Sequence, residues 1–141
     1  MPHKLKYCVL PERLAVCRAA PAAEVKPSWL EGEFSAIVRT GDELSIVCSD
    51  ALVAKMLVAT VASEFKIERG WVALKLEGPV PFSMTGVLAS FVRPLAEARI
   101  PIFAVSTFDT DYVLVKHENV EQAIAALDAA GHEQIRSLKR P

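Results

Sequence analysis

The chain has 141 residues, which is enough for one or two small domains, and its 17 acidic and 16 basic side chains nearly cancel. Hydrophobic residues make up 52% of the chain and charged residues 23%, which excludes a largely disordered protein. The chain has no excess of basic residues, which a nucleic-acid-binding protein would need. No apolar run approaches the roughly 20 residues that are needed to cross a bilayer.

The first half of the chain predicts short strands, each a run of apolar residues bounded by a turn signal. Pro11-Glu12 is a turn signal, and the Pro/Ala-rich stretch 19–27 is predicted to be a loop because it has no apolar periodicity. Ser49 or Asp50 would cap a following helix. The predicted strands are Leu5–Leu10, Leu14–Arg18, Phe34–Arg39 and Leu44–Cys48, the last two forming a hairpin, and the helix places Leu52, Met56, Ala59 and Thr60 on one face.

The second half of the chain predicts the order strand, helix, strand, strand, helix, strand. This ferredoxin-like order packs two helices on one face of a four-stranded antiparallel sheet. Pro94 either kinks the first helix or lies in a gentle bend around the core. Asn119 and Gln122 have the spacing of a capping box at the start of the second helix, and Gly131 ends it. The predicted strands are Gly70–Glu77, Ile100–Ser106, Asp111–Lys116 and His132–Leu138, and the first helix is Gly86–Arg99.

An internal repeat relates the two halves at a shift of 68 residues. Segment 34–38 then falls on 102–106, and segment 44–47 falls on 112–115, with no gap between them. A repeated supersecondary unit explains this register. The first copy has the Pro/Ala stretch where the second has its first helix. Only the second copy is therefore predicted to contain a strand that leads through a loop into a helix.

The cysteines and histidines predict no metal site. Cys8, Cys17 and Cys48 form no CxxC pair and lie in apolar segments, which indicates buried thiols in a reduced, cytoplasmic protein. The three histidines are scattered, without an HxH or HxxxH spacing. No signal peptide is expected, because no apolar segment follows the initial lysines.

The loop Phe82–Val87 joins a strand to a helix and is a candidate anion site. Its amides include the unpaired donors of a helix N-terminus, which suit a carboxylate or a phosphate. Gly86 would let a ligand or another backbone approach closely. Ordinary turn chemistry explains the same residues, so both interpretations stay open at this stage.

The segment Ser106–Tyr112 carries two carboxylates at a tight hairpin. Asp109 and Asp111 invite an interpretation as catalytic acids, but no His or Lys partner lies at a motif spacing, and polar residues are ordinary at turns. A carboxylate that binds an ammonium group needs only a well-placed acceptor. The hairpin therefore favours an ammonium site over a hydrolase.

A βαββαβ unit with Gly86 in its first strand–helix loop resembles the ACT domain, a small amino-acid-binding regulatory module. Glu43–Val47, Gly86–Leu88, Pro94–Glu97 and Ser106–Val115, together with Trp71, resemble the small bacterial tandem-ACT proteins, which are similar to halves of the CASTOR arginine sensors. The resemblance implies an α+β fold of two tandem ACT units. Residues 1–64 would form a degenerate N-terminal unit without its first helix, and residues 65–141 a complete C-terminal ACT domain.

The resemblance also implies a non-enzymatic protein whose ligand lies between two ACT units. Asp111 would hold the α-ammonium group of an amino acid, and Ser90 of the facing unit would help to hold its α-carboxylate. The implied ligand-binding residues are Ser83, Met84, Thr85, Gly86, Val87, Ser90, Thr107, Phe108 and Asp111. Met84 and Thr85 differ from the usual residues of this loop, so the identity of the ligand side chain stays open.

One complete ACT unit per chain implies that two chains meet in a homodimer with two equivalent sites. The expected partner is a free amino acid, with arginine as one candidate, and no cofactor, metal, nucleic acid or membrane is expected. The alternative is a structural or protein-interaction module that keeps the ACT fold without a ligand. A small enzyme that uses Asp109 and Asp111 is a third hypothesis.

Overall fold

The fold comes from a computed structural model, which describes residues 3–53 and 65–136. Short 3-10 turns occur at Pro27–Leu30, Asp50–Leu52 and His117–Asn119. The longer elements in chain order are β1 (Lys6–Ala19), β2 (Ala36–Arg39), β3 (Leu44–Ser49), β4 (Lys66–Leu76), α1 (Val87–Glu97), β5 (Phe103–Ser106), β6 (Asp111–Lys116), α2 (Val120–Ala129) and β7 (Glu133–Gln134). No helix in the described ranges has the length and apolar character of a membrane span.

The chain divides into two compact units. The C-terminal unit contains Met1–Pro11 and Val72–Pro141, and the N-terminal unit contains Glu12–Trp71. This division differs from the predicted boundary between residues 64 and 65. The first residues of the chain group with the C-terminal unit because the start of β1 pairs in parallel with β7.

Strand β1 is one continuous strand of 14 residues, so the prediction of two strands with a turn at Pro11-Glu12 is wrong. Its residues Leu14–Ala19 pair antiparallel with β3, and its first residues pair with β7. Pro11 lies between these two sets of pairs and takes part in neither. The local turn signal of proline is therefore overridden by pairing on either side of it.

The C-terminal unit has the predicted order β4-α1-β5-β6-α2-β7, which confirms the α+β, ferredoxin-like fold. Its strands lie in the order β5-β6-β4-β1, and β7 pairs with β1. Burial, with a smaller contribution from Asp128, raises the pKa of Tyr7 to about 12, so the phenol stays neutral in the core. The buried core residues are Tyr7, Leu74, Leu76, Val87, Phe91, Leu95, Ile100, Val113, Val115, Ala123 and Leu127.

His132 compensates for the proline inside α1. Pro94 has no N–H to donate to the carbonyl of Ser90, one turn earlier in the helix. The Nε2–H of His132 donates to that carbonyl at 3.0 Å, while its Nδ1 accepts the N–H of Leu5 at 3.1 Å. Because Nδ1 accepts a hydrogen bond, the neutral ring carries its proton on Nε2. The buried imidazole thereby satisfies two backbone groups from different parts of the unit.

The N-terminal unit contains the predicted hairpin of β2 and β3, with β1 beside β3. Trp29, in the first 3-10 turn, is buried in its core and contacts Phe65 edge to face at 5.8 Å. All three cysteines are buried, as predicted. A hydrogen bond with Cys48, together with burial, raises the pKa of the Cys17 thiol.

A helix start is predicted directly after each hairpin, at Ser49 or Asp50 and at Asn119. Leu52 lies in a 3-10 turn, while Met56, Ala59 and Thr60 of the predicted helix face lie outside the described residues. Asn119 occupies the predicted N-cap position of α2, but the predicted capping box is wrong. Within the described residues the Asn119 side chain makes no capping bond, and Gln122 instead donates to the carbonyl of Ala98 at 3.4 Å.

The two hairpins repeat at a shift of 67 residues, one less than predicted. The bounds of β2 and β5 differ by 67 (36 to 103 and 39 to 106), and so do those of β3 and β6. The pair Ala36–Val47 accordingly corresponds to the pair Phe103–Leu114. Apolar residues on both faces of these strands hide the two-residue alternation, so the sequence did not distinguish the two registers.

Candidate ligand-binding site

A cavity of about 320 Å³ lies in the C-terminal unit between the loop before α1 and the β5–β6 turn. We call it the hairpin cavity. Its volume lies at the small end of the range for small-molecule sites, about 300–1,000 Å³. The lining residues are Val80, Pro81, Phe82, Met84, Gly86, Val87, Leu88, Ala89, Ser106, Thr107, Phe108, Thr110 and Asp111.

Six of the nine residues implied by the resemblance line the hairpin cavity: Met84, Gly86, Val87, Thr107, Phe108 and Asp111. The other three lie elsewhere. Ser83 is exposed on the loop, and Thr85 and Ser90 line a second cavity.

The second cavity, which we call the interhelical cavity, has a volume of about 900 Å³ and lies along α1 and α2. Gly86 lines both cavities. His3, which the sequence did not single out, donates its backbone N–H to the Ser90 hydroxyl at 3.0 Å and its Nε2–H to the Thr85 carbonyl at 3.0 Å. The Ser90 hydroxyl in turn donates to the Gly86 carbonyl at 2.8 Å. These bonds tie the start of the chain to the first turn of α1.

Gly86 is the N-cap residue of α1 and has a left-handed backbone conformation, with φ of 77°. Its carbonyl accepts the first helical hydrogen bond from Ser90 at 2.9 Å. The N–H groups of Val87, Leu88 and Ala89 precede that bond, so they have no acceptor within the helix. Together with the helix dipole, these amides form a positive end that favours an anion beside Gly86.

Replacing Gly86 with alanine is expected to lower the free energy of unfolding by about 1–2 kcal/mol, the cost of a left-handed backbone for a residue with a Cβ. The added Cβ would meet no described atom within 4 Å, so the cost is conformational. Gly41→Ala is the matched control, because Gly41 is equally open and has no positive φ. Urea unfolding gives the free energy of unfolding of both variants. An unchanged free energy in Gly86→Ala would contradict the left-handed conformation of Gly86.

Asp111 supplies the carboxylate of the hairpin cavity. It pairs with Ser106 at the end of the β5–β6 ladder, and the Ser106 hydroxyl donates to its Oδ1 at 2.5 Å. A carboxylate accepts several hydrogen bonds, so Oδ2 stays available to a ligand cation. Asp109, two residues earlier, is exposed at the turn and does not line the cavity.

The β5–β6 turn is fixed by hydrogen bonds to its own backbone and to β4. The Thr107 N–H donates to the Thr110 carbonyl at 2.8 Å, and the buried Thr110 hydroxyl donates to the Leu76 carbonyl at 2.9 Å. The Val80 N–H donates to the Asp109 carbonyl at 2.6 Å. Asp111 is therefore presented by a rigid turn, as a preorganised binding group requires.

Sequence reasoning missed the aromatic wall of the hairpin cavity. Phe82 and Phe108 contact edge to face, with ring centroids 4.9 Å apart, and Phe82 was not a predicted site residue. Val80, Leu88 and Ser106 were also missed. Phe82 is the first residue of the loop predicted as a candidate anion site, but no periodicity marks its ring as part of a binding surface. Across the described ranges, no three His, Cys, Asp or Glu side chains gather as metal ligands.

Comparison with known proteins places the site within an ACT domain. Residues 66–129 match the ACT domain family, and residues 12–55 match a family described as an N-terminal domain. A crystal structure of protein Atu0741 from Agobacterium tumefaciens is similar over 99% of this chain and 98% of its own, with 30% identity and a TM-score of 0.80.

Two further structures share the fold at lower identity. A Vibrio cholerae protein of unknown function is 17% identical, with a TM-score of 0.66 over 91% of both chains. The regulatory subunit of aspartate kinase from Thermus flavus is 12% identical, with a TM-score of 0.67 over 92% of this chain and 99% of its own. This chain is an ACT-domain protein, and it belongs to the same family as Atu0741.

Proposed function

We propose that the protein binds a free amino acid in the hairpin cavity and acts as a non-enzymatic, cytoplasmic regulatory protein. One observation carries the proposal: Asp111 and the first three residues of α1, whose amides have no acceptor within the helix, line the same cavity. An amino acid zwitterion carries one ammonium and one carboxylate group. The ammonium group pairs with Asp111, and the carboxylate accepts hydrogen bonds from the helix amides.

The role of Ser90 depends on a second copy of the chain. Its side chain does not line the hairpin cavity, and its hydroxyl already donates to Gly86. In the tandem-ACT proteins that this chain resembles, the corresponding serine belongs to the facing unit. We therefore propose a homodimer in which Ser90 of one chain rotates away from Gly86 and donates to the ligand held by the other.

The proposal of a homodimer is tested by the molecular mass in solution. We expect light scattering to give twice the 15.4 kDa of one chain, at least when the ligand is bound. A mass of one chain at saturating ligand would contradict the role of Ser90. It would not contradict ligand binding by Asp111 and the helix amides, which does not depend on a second chain.

The hairpin cavity favours this function over the alternatives. A ligand-free module predicts no cavity beside Gly86, whereas one is present. An enzyme that uses Asp109 and Asp111 needs both carboxylates and a third titratable group in one cleft. Among the described residues around the cavity, Asp111 is the single titratable side chain.

Calorimetric titration with each of the twenty amino acids tests the proposal. We expect at least one to bind with a Kd below about 1 mM. At 100 times its Kd, that amino acid should stabilise the fold by about 2.7 kcal/mol. Asp111→Asn should abolish both effects, because it removes the charge that pairs with the ammonium group while keeping the side-chain shape.

Asp109→Asn is the matched control for Asp111→Asn, because it removes a carboxylate from the same turn but from outside the cavity. The control should bind as the unchanged protein does. The proposal is wrong if no amino acid binds, or if Asp111→Asn and Asp109→Asn bind equally well.

A further inference from the structure

We infer that the amino acid held in the hairpin cavity has an apolar side chain; this inference rests on the proposed function. The polar groups of the cavity are gathered where β5 and β6 end, around Ser106 and Asp111. The other lining residues with large apolar side chains form an apolar wall, which comes from the loop before α1, from α1 and from the β5–β6 turn. Its residues are Val80, Phe82, Met84, Leu88 and Phe108.

The charges around the cavity argue against a charged ligand side chain. Asp111 is the single charged side chain among the described residues that line it. When Asp111 pairs with the α-ammonium group, no carboxylate remains for a lysine or arginine side chain. No basic group in that lining would pair with an aspartate or glutamate side chain either. A charged ligand side chain would therefore lose water without gaining an oppositely charged partner. The hydroxyls of Ser106 and Thr107 already donate to Asp111 and to the Thr110 carbonyl, so neither has a proton left to donate to an uncharged polar side chain.

The aromatic pair offers an apolar ligand a surface to cover. Phe82 and Phe108 are 75% and 79% exposed although their rings contact each other, and Met84 beside them is 47% exposed. Contiguous exposed apolar side chains at a cavity mark a binding surface. An apolar ligand side chain that covers them removes apolar surface from water on both partners. A cation could lie over a ring, but phenylalanine is a weaker partner for that contact than tryptophan.

Pairs of amino acids with similar shapes separate polarity from size. In calorimetric titrations, we expect leucine to bind at least about tenfold more tightly than asparagine, and valine at least about tenfold more tightly than threonine. The apolar member of each pair loses less hydration when it contacts the wall. Equal affinities within both pairs, or tightest binding of arginine, would overturn the inference.

Phe82→Ala tests the wall directly. We expect it to weaken leucine binding about tenfold and to leave alanine binding within about twofold, because alanine has no atoms beyond Cβ to reach the ring. Leu30→Ala is the matched control, since it removes an exposed apolar side chain that does not line the cavity. Equal weakening of leucine and alanine by Phe82→Ala would overturn the inference.

Failure of the inference is distinguishable from failure of the proposed function. If arginine binds most tightly, or asparagine binds as tightly as leucine, and Asp111→Asn abolishes that binding, the amino-acid site stands and the apolar specificity is wrong. If none of the twenty amino acids binds, both are wrong. If leucine binds but Phe82→Ala has no effect on it, the apolar wall is not the surface that selects the ligand, and the inference is overturned.

Discussion

Replacing Phe91 with alanine is expected to lower the free energy of unfolding by about 3–5 kcal/mol. Phe91 is fully buried in the core of the C-terminal unit. Its ring contacts Tyr7 edge to face at 5.3 Å and lies 5.4 Å from the ring of His132. Removal of the ring leaves a void among close-packed side chains that relax only partly to fill it. Equilibrium unfolding in urea measures the loss.

Phe108→Ala makes the same chemical change at the surface, where the ring is 79% exposed. We expect this control to alter the free energy of unfolding by no more than about 0.5 kcal/mol. Similar losses in the two variants would contradict the placement of Phe91 at the centre of the core.

Replacing His132 with alanine is expected to lower the free energy of unfolding by about 2–6 kcal/mol, because two backbone groups lose their partner and each unpaired group costs about 1–3 kcal/mol. These groups are the Leu5 N–H and the Ser90 carbonyl, and both are half-buried, so the lower part of this range is expected. The Ser90 carbonyl has no alternative donor in its own helix, because Pro94 follows four residues later. Urea unfolding measures the total.

His117→Ala is the control for His132→Ala, because His117 is exposed. We expect it to be close to neutral. Amide hydrogen exchange adds a local measurement: the Leu5 amide should exchange faster in His132→Ala than in the control. Unchanged exchange at Leu5 would show that His132 does not hold that amide.

The regular elements of the C-terminal unit were predictable because local signals and packing agree there. The apolar residues of α1 recur at helical spacing, and β6 occupies the predicted residues. Predictions failed where pairing overrides a local signal. Pro11 interrupts the sequence pattern of β1 but not the strand itself, and the repeat was displaced by one residue because apolar residues occupy both faces of its strands.

Two residues that line the hairpin cavity were also predictable. Gly86 and Asp111 carry chemistry that is visible in the sequence, and the structure brings both to one cavity. Phe82 and His3 carry no such signal, because the position of each depends on contacts with residues far along the chain. Phe82 meets Phe108, and His3 meets the first turn of α1. Long-range contacts of this kind are set by the tertiary fold, so no local pattern predicts them.

The most direct test of the amino-acid site is a nuclear magnetic resonance titration of the amide spectrum with an equimolar mixture of the twenty amino acids. Binding at this site predicts that the largest shift changes occur at the amides of Gly86–Ala89 and Thr107–Asp111, which surround the hairpin cavity. Changes concentrated instead at Arg93 and Glu97, in the interhelical cavity, would contradict it. A spectrum that does not change at all would contradict it equally.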